Sequence, residues 1–226
     1  IVDAIEGAGG RIKILLTASA IGIYGDGGES ALTESSKIGK GFLAKLCQDW
    51  EREANKASCR KAQLRFGVVL ANDSMAIKKI LPVFENGFGG PISTGNQWMN
   101  WVHIDDVVGI TMKTLLDPGL SGPINVVSPE PVRNKEFTKL LANSLKVPAI
   151  LPVPKIALRL ILGEIASEFL SNQRVFPEKA AEKNYTFKFT NLDTAFNSLF
   201  SWKESCHDHL FEQKQWTTKP LNVVFE

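Results

Sequence analysis

Tyr24 and Ser19 sit at the end of one apolar run, Ile12-Lys-Ile-Leu-Leu-Thr-Ala-Ser19-Ala-Ile-Gly22-Ile-Tyr24-Gly25-Asp26. If that run is a strand of a parallel sheet, its carboxyl end is where doubly wound α/β proteins hold ligands. A phenol and a hydroxyl there could move a proton to or from a substrate. Tyr24 could equally pack beneath the loop that follows. Arg65 could bind a phosphate or a substrate carboxylate, or pair with Asp105 or Asp106. His103 could titrate near neutral pH or serve as a hydrogen-bonded structural residue on its strand. Gln97, Trp98 and Trp101 could line a pocket with the loop Gly87-Phe-Gly-Gly-Pro-Ile-Ser-Thr-Gly95, since glycine lets backbone approach a ligand closely. Core packing of the tryptophans is the competing account.

Two further motifs carry less. The run Gly22-Ile-Tyr-Gly25-Asp-Gly-Gly28 matches a dinucleotide fingerprint in form only, because Glu29-Ser-Ala-Leu-Thr-Glu34 lacks a helical apolar face and adds negative charge. Cys206-His-Asp-His209 has ligand-type residues at too tight a spacing for a zinc site, and no metal site is expected.

The elements that must position these residues alternate. Ile1, Val2 and Ile5 share a helical face that Gly7 or Gly9 stops, and the strand from Ile12 follows. Asp26 to Lys40 reads as a loop. Phe42, Leu43, Leu46, Cys47, Trp50 and Ala54 recur at helical spacing. Gln63 to Leu70 is β-prone, Ser74 to Asn86 is helical with Pro82 limiting it, and Gln97 to Ile104 is extended. Asp105 or Asp106 caps a helix with the apolar face Val107, Val108, Ile110, Thr111 and Leu115. Gly122 to Ser128 is a strand, and Asn134 caps a helix through Leu145. This alternation predicts a parallel sheet with helices on its faces. Three prolines between 148 and 154 then mark a change of texture, and a long helix to about Asn172 and a mixed segment to Phe200 follow. The expected organisation is a domain over 1–147, a small lobe over 148–200 and a tail over 201–226.

A net charge of +2, from 26 basic and 24 acidic residues scattered along 226, leaves no electrostatic footprint for nucleic acid or an anionic membrane. The expected partner is a small molecule. Three cysteines at unrelated spacings suit reduced thiols in a cytoplasmic compartment. An organellar one stays open, because the first residue is Ile1 and a chain that opens inside a helix is expected to lack a leading segment. A homo-oligomer, or that missing segment, would complete it. No apolar run reaches the roughly 20 residues of a membrane span.

Several motifs recur together: Ser19-Ala-Ile-Gly-Ile-Tyr24-Gly25, Trp50-Glu51-x-Glu53-Ala54, Arg65-Phe-Gly-Val-Val-Leu70, Gly87-Phe-Gly-Gly-Pro91, Gly95-x-Gln97 and Trp101-Val-His103-Ile-Asp-Asp106. After them come Asn125-Val-Val-Ser-Pro129, Pro152-x-Pro154, Leu162-Gly-Glu164 and Gln173-Arg-Val-x-Pro177. In this order they resemble the extended short-chain dehydrogenase/reductase superfamily, and within it the SulA-like, YfcH-type epimerase family, over about residues 1 to 200. The resemblance implies an α/β, Rossmann-like doubly wound parallel sheet without its N-terminal strands, and a small C-terminal α/β substrate lobe. Members begin with three further βα units, roughly 75 to 90 residues at about 30 per unit. It also implies NAD or NADP in the intact protein, bound weakly or not at all by these 226 residues alone.

By the same resemblance, Ala18, Ser19, Arg65 and Gly67 lie beside the cofactor, and Arg65, Gln97, Trp101 and His103 beside the substrate. The superfamily moves its proton through a Ser/Thr, Tyr and Lys relay. Here Leu43 and Cys47 stand where Tyr and Lys would be, and Ala20 where the serine would be. Tyr24 and Ser19 are then the catalytic candidates of an epimerase or reductase, with a nucleotide sugar as its expected substrate. The competing expectation is a non-catalytic binding or regulatory protein.

Overall fold

Along Arg60–Phe66 the side chains alternate in kind as well as in direction. Ala62 and Leu64 join a buried apolar cluster with Val102, Ile110, Leu120, Ile124 and Val126. Gln63 and Arg65, also buried, face the other way. The computed structural model describes residues 1–149, 152–154, 156 and 171–200. The tail, the Cys206 to His209 motif and nearly all of the helix expected before Asn172 lie outside the described residues.

Helix α1 (Val2–Gly7) leads into strand β1 (Ile14–Ala20). A single 3-10 turn, Ile21–Tyr24, ends that strand earlier than the apolar run suggests, because the residues around Gly22 turn away from the sheet. Strand β2 (Ala31–Leu32) interrupts the expected loop, and helix α2 (Phe42–Ala54) follows. The β-prone run through Leu70 is two strands, β3 (Arg60–Phe66) and β4 (Val68–Leu70). They part at Gly67, where a Cβ would lie 2.5 Å from the Asn100 carbonyl oxygen. Helix α3 (Met75–Glu85) contains Pro82. The extended segment after Gln97 is likewise two strands, β5 (Trp98–Met99) and β6 (Trp101–His103), and helix α4 (Ile104–Leu116) begins directly after β6. Strands β7 (Gly122–Val126) and β8 (Val132–Arg133), helix α5 (Asn134–Leu145), strand β9 (Arg174–Val175), and helices α6 (Glu178–Glu182) and α7 (Leu192–Phe200) complete the described elements.

The main sheet has the order β1-β3-β7, all parallel. Its register aligns Ser19 with Arg65 and Arg65 with Asn125, one row of polar residues near the carboxyl ends of all three strands. Smaller pairs flank it: β4 with β6, β2 with β9, and β5 antiparallel to β8. The largest apolar cluster joins Leu70, Ile77, Trp101, Phe137 and Leu141 to Phe196 and Phe200 of α7. Residues 192–200 therefore share a core with segments before 148. Among the described residues, no helix is long and apolar enough to cross a membrane.

Two expected caps and two expected faces differ. His103, not Asp105 or Asp106, caps α4, its Nδ1 accepting from the Asp105 N–H at 3.2 Å. Asn134 lies inside α5, and its Oδ1 accepts from the Ile92 N–H at 2.7 Å, fastening the glycine-rich loop instead. Phe42 and Trp50 are 72% and 58% exposed, while α2 buries Ala44, Cys47, Glu51 and Ala54. On α4, Val108 and Leu115 are exposed, and Asp106, Ile110 and Thr114 are buried.

The last turn of α4 is closed by a side chain from β3. Arg60 donates through Nη1 to the carbonyls of Thr114, Asp117 and Leu120 and through Nη2 to that of Leu115, at 2.8–3.0 Å. A guanidinium there satisfies orphan helix carbonyls and complements the negative end of the helix dipole. Arg60→Ala is expected to cost about 2–3 kcal/mol, since hydrogen bonds from a charged donor contribute most. An unchanged urea midpoint would show that the cap is energetically idle.

Candidate functional site

The polar row of the sheet meets a carboxylate on α2. Glu51 lies on the helix face that also carries Leu43 and Cys47, four residues apart each time, and this face packs on β1 and the 3-10 turn. A lone acid on a buried face needs cationic or hydrogen-bonded partners. Arg65 supplies a two-pronged contact, Nε to Oε1 and Nη2 to Oε2, each 2.8 Å. Ser19 Oγ donates to Oε1 at 2.8 Å. The remaining fork nitrogen of Arg65, Nη1, donates to the Tyr24 hydroxyl at 2.9 Å. Tyr24 in turn donates to Asn125 Oδ1 at 2.7 Å. Arg65 thus pairs with neither Asp105 nor Asp106. Asp106 instead accepts from Tyr185 Oη and from the N–H groups of Lys188 and Phe189, and Asp105 pairs with Lys188.

Burial sets the electrostatics. It pushes the Tyr24 phenol above its ordinary value, although Arg65 and Asn125 pull the other way. It opposes the charge of Arg65, yet Glu51 and Tyr24 hold that guanidinium firmly protonated. Burial likewise raises the Cys47 thiol. Tyr24 is 2% exposed and shares a cluster with Ile23, Leu32, Cys47, Val127 and Val175. Gly39 runs against the backbone of this turn, so close that a Cβ would collide with the Tyr24 carbonyl. In this state the phenol is neutral, fully hydrogen-bonded and covered.

Glu34 extends the network toward the carboxyl-terminal segment. Its Oε1 accepts from the N–H groups of Asn125 at 2.9 Å and Lys179 at 3.4 Å. Its Oε2 is buried without a partner, and desolvation raises its carboxyl despite those two donors. Asn125 also donates through Nδ2 to the Phe176 carbonyl at 2.9 Å. Glu34, Glu51 and Asn125 were not among the site candidates that the sequence suggests. The signal available for Glu51 was its place among Cys47 and Ala54 on a helix face. No local pattern marks Glu34.

The other candidates are placed elsewhere. Trp101 is fully buried in the largest cluster, with its indole N–H donating to the Glu130 carbonyl at 3.1 Å. Gln97 Nε2 donates to the Ile92 carbonyl within the glycine-rich loop. Of the expected cofactor contacts, Ala18 is exposed and Ser19 is buried on Glu51, while Gly67 is closed off by Asn100 and Val127. The glycine turn after β1 leads into β2, not into a helix, so it offers no helix N-terminus to a pyrophosphate.

His103 lies against Ser198 and Asp105, a trio whose residue types suggest nucleophilic catalysis. The hydrogen-bond polarity is reversed. Nδ1 accepts from the Asp105 backbone, so the proton sits on Nε2 and faces Ser198 Oγ at 3.1 Å. Ser198 spends its own proton on the Ala195 carbonyl at 2.8 Å. Burial lowers the imidazole pKa against the pull of Asp105 and Asp106, and the ring lies tilted against Phe189 with centroids 3.9 Å apart. A histidine that donates to a serine cannot act as its base.

Two consequences are measurable. Glu51→Ala leaves a buried guanidinium unpaired and is expected to cost about 3–5 kcal/mol, whereas the paired change Glu51→Leu with Arg65→Met costs less than the single one. Equal losses in denaturant unfolding would deny the coupling. For Glu34, the folded carboxyl lies above its ordinary 4.5, so the native state holds more protons than the unfolded state once pH passes that value. Stability then falls as pH rises from there through the raised folded value. Glu34→Gln removes this slope, so its Tm is expected to gain on that of the unmodified chain as pH rises above 4.5. Parallel pH profiles would refute it.

Comparisons place this geometry among known proteins. Residues 153–199 match a family described as a domain of unknown function, DUF1731. The chloroplastic epimerase family protein SDR39U1 homolog of Arabidopsis thaliana is 38% identical over 203 residues, 88% of this chain and 58% of the relative. The human epimerase family protein SDR39U1, solved with NADPH, superposes with a TM-score of 0.83 at 28% identity, covering 88% of this chain and 69% of that one. A nucleoside-diphosphate sugar epimerase of Corynebacterium glutamicum superposes with a TM-score of 0.68 at 32% identity, covering 85% of this chain and 38% of the other. The chain spans 58% to 64% of the lengths of the plant relative and of the Mycobacterium bovis epimerase family protein it also matches. The chain is thus an α/β Rossmann-like protein similar to epimerase family proteins, with a DUF1731 match toward its carboxyl end.

Proposed function

We propose that the protein is an NAD(P)-dependent epimerase or reductase of the extended short-chain dehydrogenase superfamily, acting on a small molecule of the nucleotide-sugar class. The observation that carries this reading is the row Ser19, Arg65 and Asn125 at the carboxyl edge of the parallel sheet, with the Tyr24 hydroxyl bonded to two of its members. The cofactor would supply the hydride chemistry. Tyr24 and Ser19 would handle the proton, and Arg65, Gln97 and His103 would orient substrate, with Trp101 supporting them from the core. Use of Tyr24 requires its cover to open, because the side chain is buried.

The described residues do not by themselves provide a pyrophosphate cradle, since the glycine turn after β1 runs into a strand. On this reading the cradle belongs to sequence outside the 226 residues, which places the domain over 1–147 and the small lobe over 148–200 in a longer protein or assembly. Neither nucleic acid nor membrane is a partner in this scheme, and either cytoplasm or an organelle would suit it.

A second reading has its own support. Leu43 and Cys47 occupy the expected relay positions with buried or half-buried side chains, and Tyr24 and Ser19 are saturated by protein partners. A non-catalytic binding or regulatory protein would keep such a site. Calorimetry with NADPH and turnover assays on nucleotide sugars separate the two. The enzyme reading expects tight cofactor binding by the intact protein and turnover abolished by Tyr24→Phe. Binding without turnover on any such sugar would favour the second. Micromolar NADPH affinity in the 226 residues alone would overturn the placement of the cradle.

A further inference from the structure

Along α5, Lys135, Thr138, Lys139 and Ala142 recur at the i, i+3, i+4, i+7 spacing of a single helix face, yet that face is not apolar. Phe137 and Leu141 carry the other side of the helix into the largest apolar cluster. Two segments fold against the mixed face. At the start of the helix the Lys135 N–H donates to the Gly95 carbonyl at 2.9 Å. Gly95 has φ +67° in so tight a turn that a Cβ would lie 2.8 Å from Lys135 Cβ and 3.0 Å from Pro91 Cβ. At the end of the helix Lys146 is left-handed, and the Val147 N–H returns to the Ala142 carbonyl at 3.0 Å. This helix stop lays Val147 and Pro148 back beside the same face.

Between these segments and the helix lies a cavity of about 370 Å³, whose lining includes Pro91, Lys135, Thr138, Lys139, Val147 and Pro148. That volume falls within the roughly 300–1,000 Å³ of small-ligand sites. Thr138 is the most deeply buried polar residue in the lining, only 4% exposed. The threonines of α4 spend their hydroxyls on the carbonyl four residues back, Thr111 on Val107 and Thr114 on Ile110, each at 2.7 Å. Thr138 makes no such bond, and among the described residues its hydroxyl has no partner. A nearly buried hydroxyl left unpaired is costly unless something in the cavity meets it. The side chains of Lys135 and Lys139 are exposed, and among the described residues neither ammonium meets a carboxylate. Two cations and a free hydroxyl therefore line one cavity whose other wall is hydrocarbon.

We propose that this cavity binds a small phosphate monoester that carries an apolar organic group. Such an ester has a charge of roughly −1.5 to −2 at neutral pH and three acceptor oxygens, which match two ammonium groups and one hydroxyl. The organic group lies against Pro91, Val147 and Pro148. The helix that carries the site belongs to a different apolar cluster from Tyr24, so the proposal does not rest on the epimerase or reductase reading.

The test is NMR of the backbone amides in the 15N-labelled 226-residue chain. Phenyl phosphate, inorganic phosphate and phenol are titrated in separate arms at constant ionic strength and neutral pH. Phenyl phosphate is expected to give saturable shifts at the Thr138, Lys139 and Val147 amides. Each of the other two probes lacks half of the contacts and is expected to bind about tenfold more weakly. Lys135→Gln and Lys139→Gln change only exposed side chains, and each is expected to weaken phenyl phosphate binding about tenfold. Thr138→Val keeps the branched shape without the hydroxyl and is expected to cost about fivefold. The proposal is overturned by the absence of saturable shifts at these amides, or by full affinity in both lysine variants. Phenol or inorganic phosphate binding as tightly as phenyl phosphate overturns it as well.

Discussion

The ion pair between Arg65 and Glu51 is the contact on which the described architecture turns. Helix α2 does not meet the sheet through an apolar face alone. At its carboxyl-terminal half the helix offers Glu51 and then Asn55, and the central strand answers with Arg65 and Gln63, whose Nε2 donates to Asn55 Oδ1 at 3.1 Å. Polar contacts of this kind are directional, so they admit one translation of helix against sheet where a greasy face would admit several. Arg65 is also the middle member of the row running from Ser19 to Asn125. A single guanidinium thereby ties β1, β3, β7, α2 and the turn that carries Tyr24.

From that centre the network runs outward to the parts of the chain farthest apart in sequence. Asn125 passes the constraint from Tyr24 to Phe176, and its backbone passes it to Glu34. Glu34 then reaches the start of α6 through Lys179. The strand pair β2 and β9 lies within this span, so the loop after Tyr24 and the segment matched by DUF1731 are fastened to the same sheet edge. Each link is a hydrogen bond made in a dry setting, where an unmet partner is costly. The free Oε2 of Glu34 marks the place where the network is least complete.

The sequence was legible where structure is local. The helical spacing from Phe42 to Ala54 and the apolar run of β1 announced their elements, because both depend on periodicities of a few residues. The strand breaks at Gly67 and Asn100 were not legible, since they arise from a close crossing of two backbones. The partner of Arg65 was obscured for a related reason. Asp105 and Asp106 look available in the chain, but α4 turns them toward the 185–189 segment, and only the sheet register brings Arg65 beneath Glu51. Phe42 and Trp50 read as core because their spacing is helical, yet that spacing cannot say how wide the buried stripe is.

The same centre gives a physical account of the residues standing at the expected relay positions. Leu43 fills the space beside Gly22, where a Cβ would collide with it. Cys47 lies within hydrogen-bonding influence of Ser19 and Ala20 and is exposed to the field of Arg65 and Glu51. A lysine at 47 would put a second buried cation beside Arg65 with only Glu51 to balance the two, and an unbalanced buried charge is strongly destabilising. A cluster built on Arg65 and Glu51 is therefore incompatible with an ammonium on the preceding turn of α2. The small neutral thiol and the stacked, hydrogen-bonded phenol of Tyr24 are one solution to a single charge-balance problem.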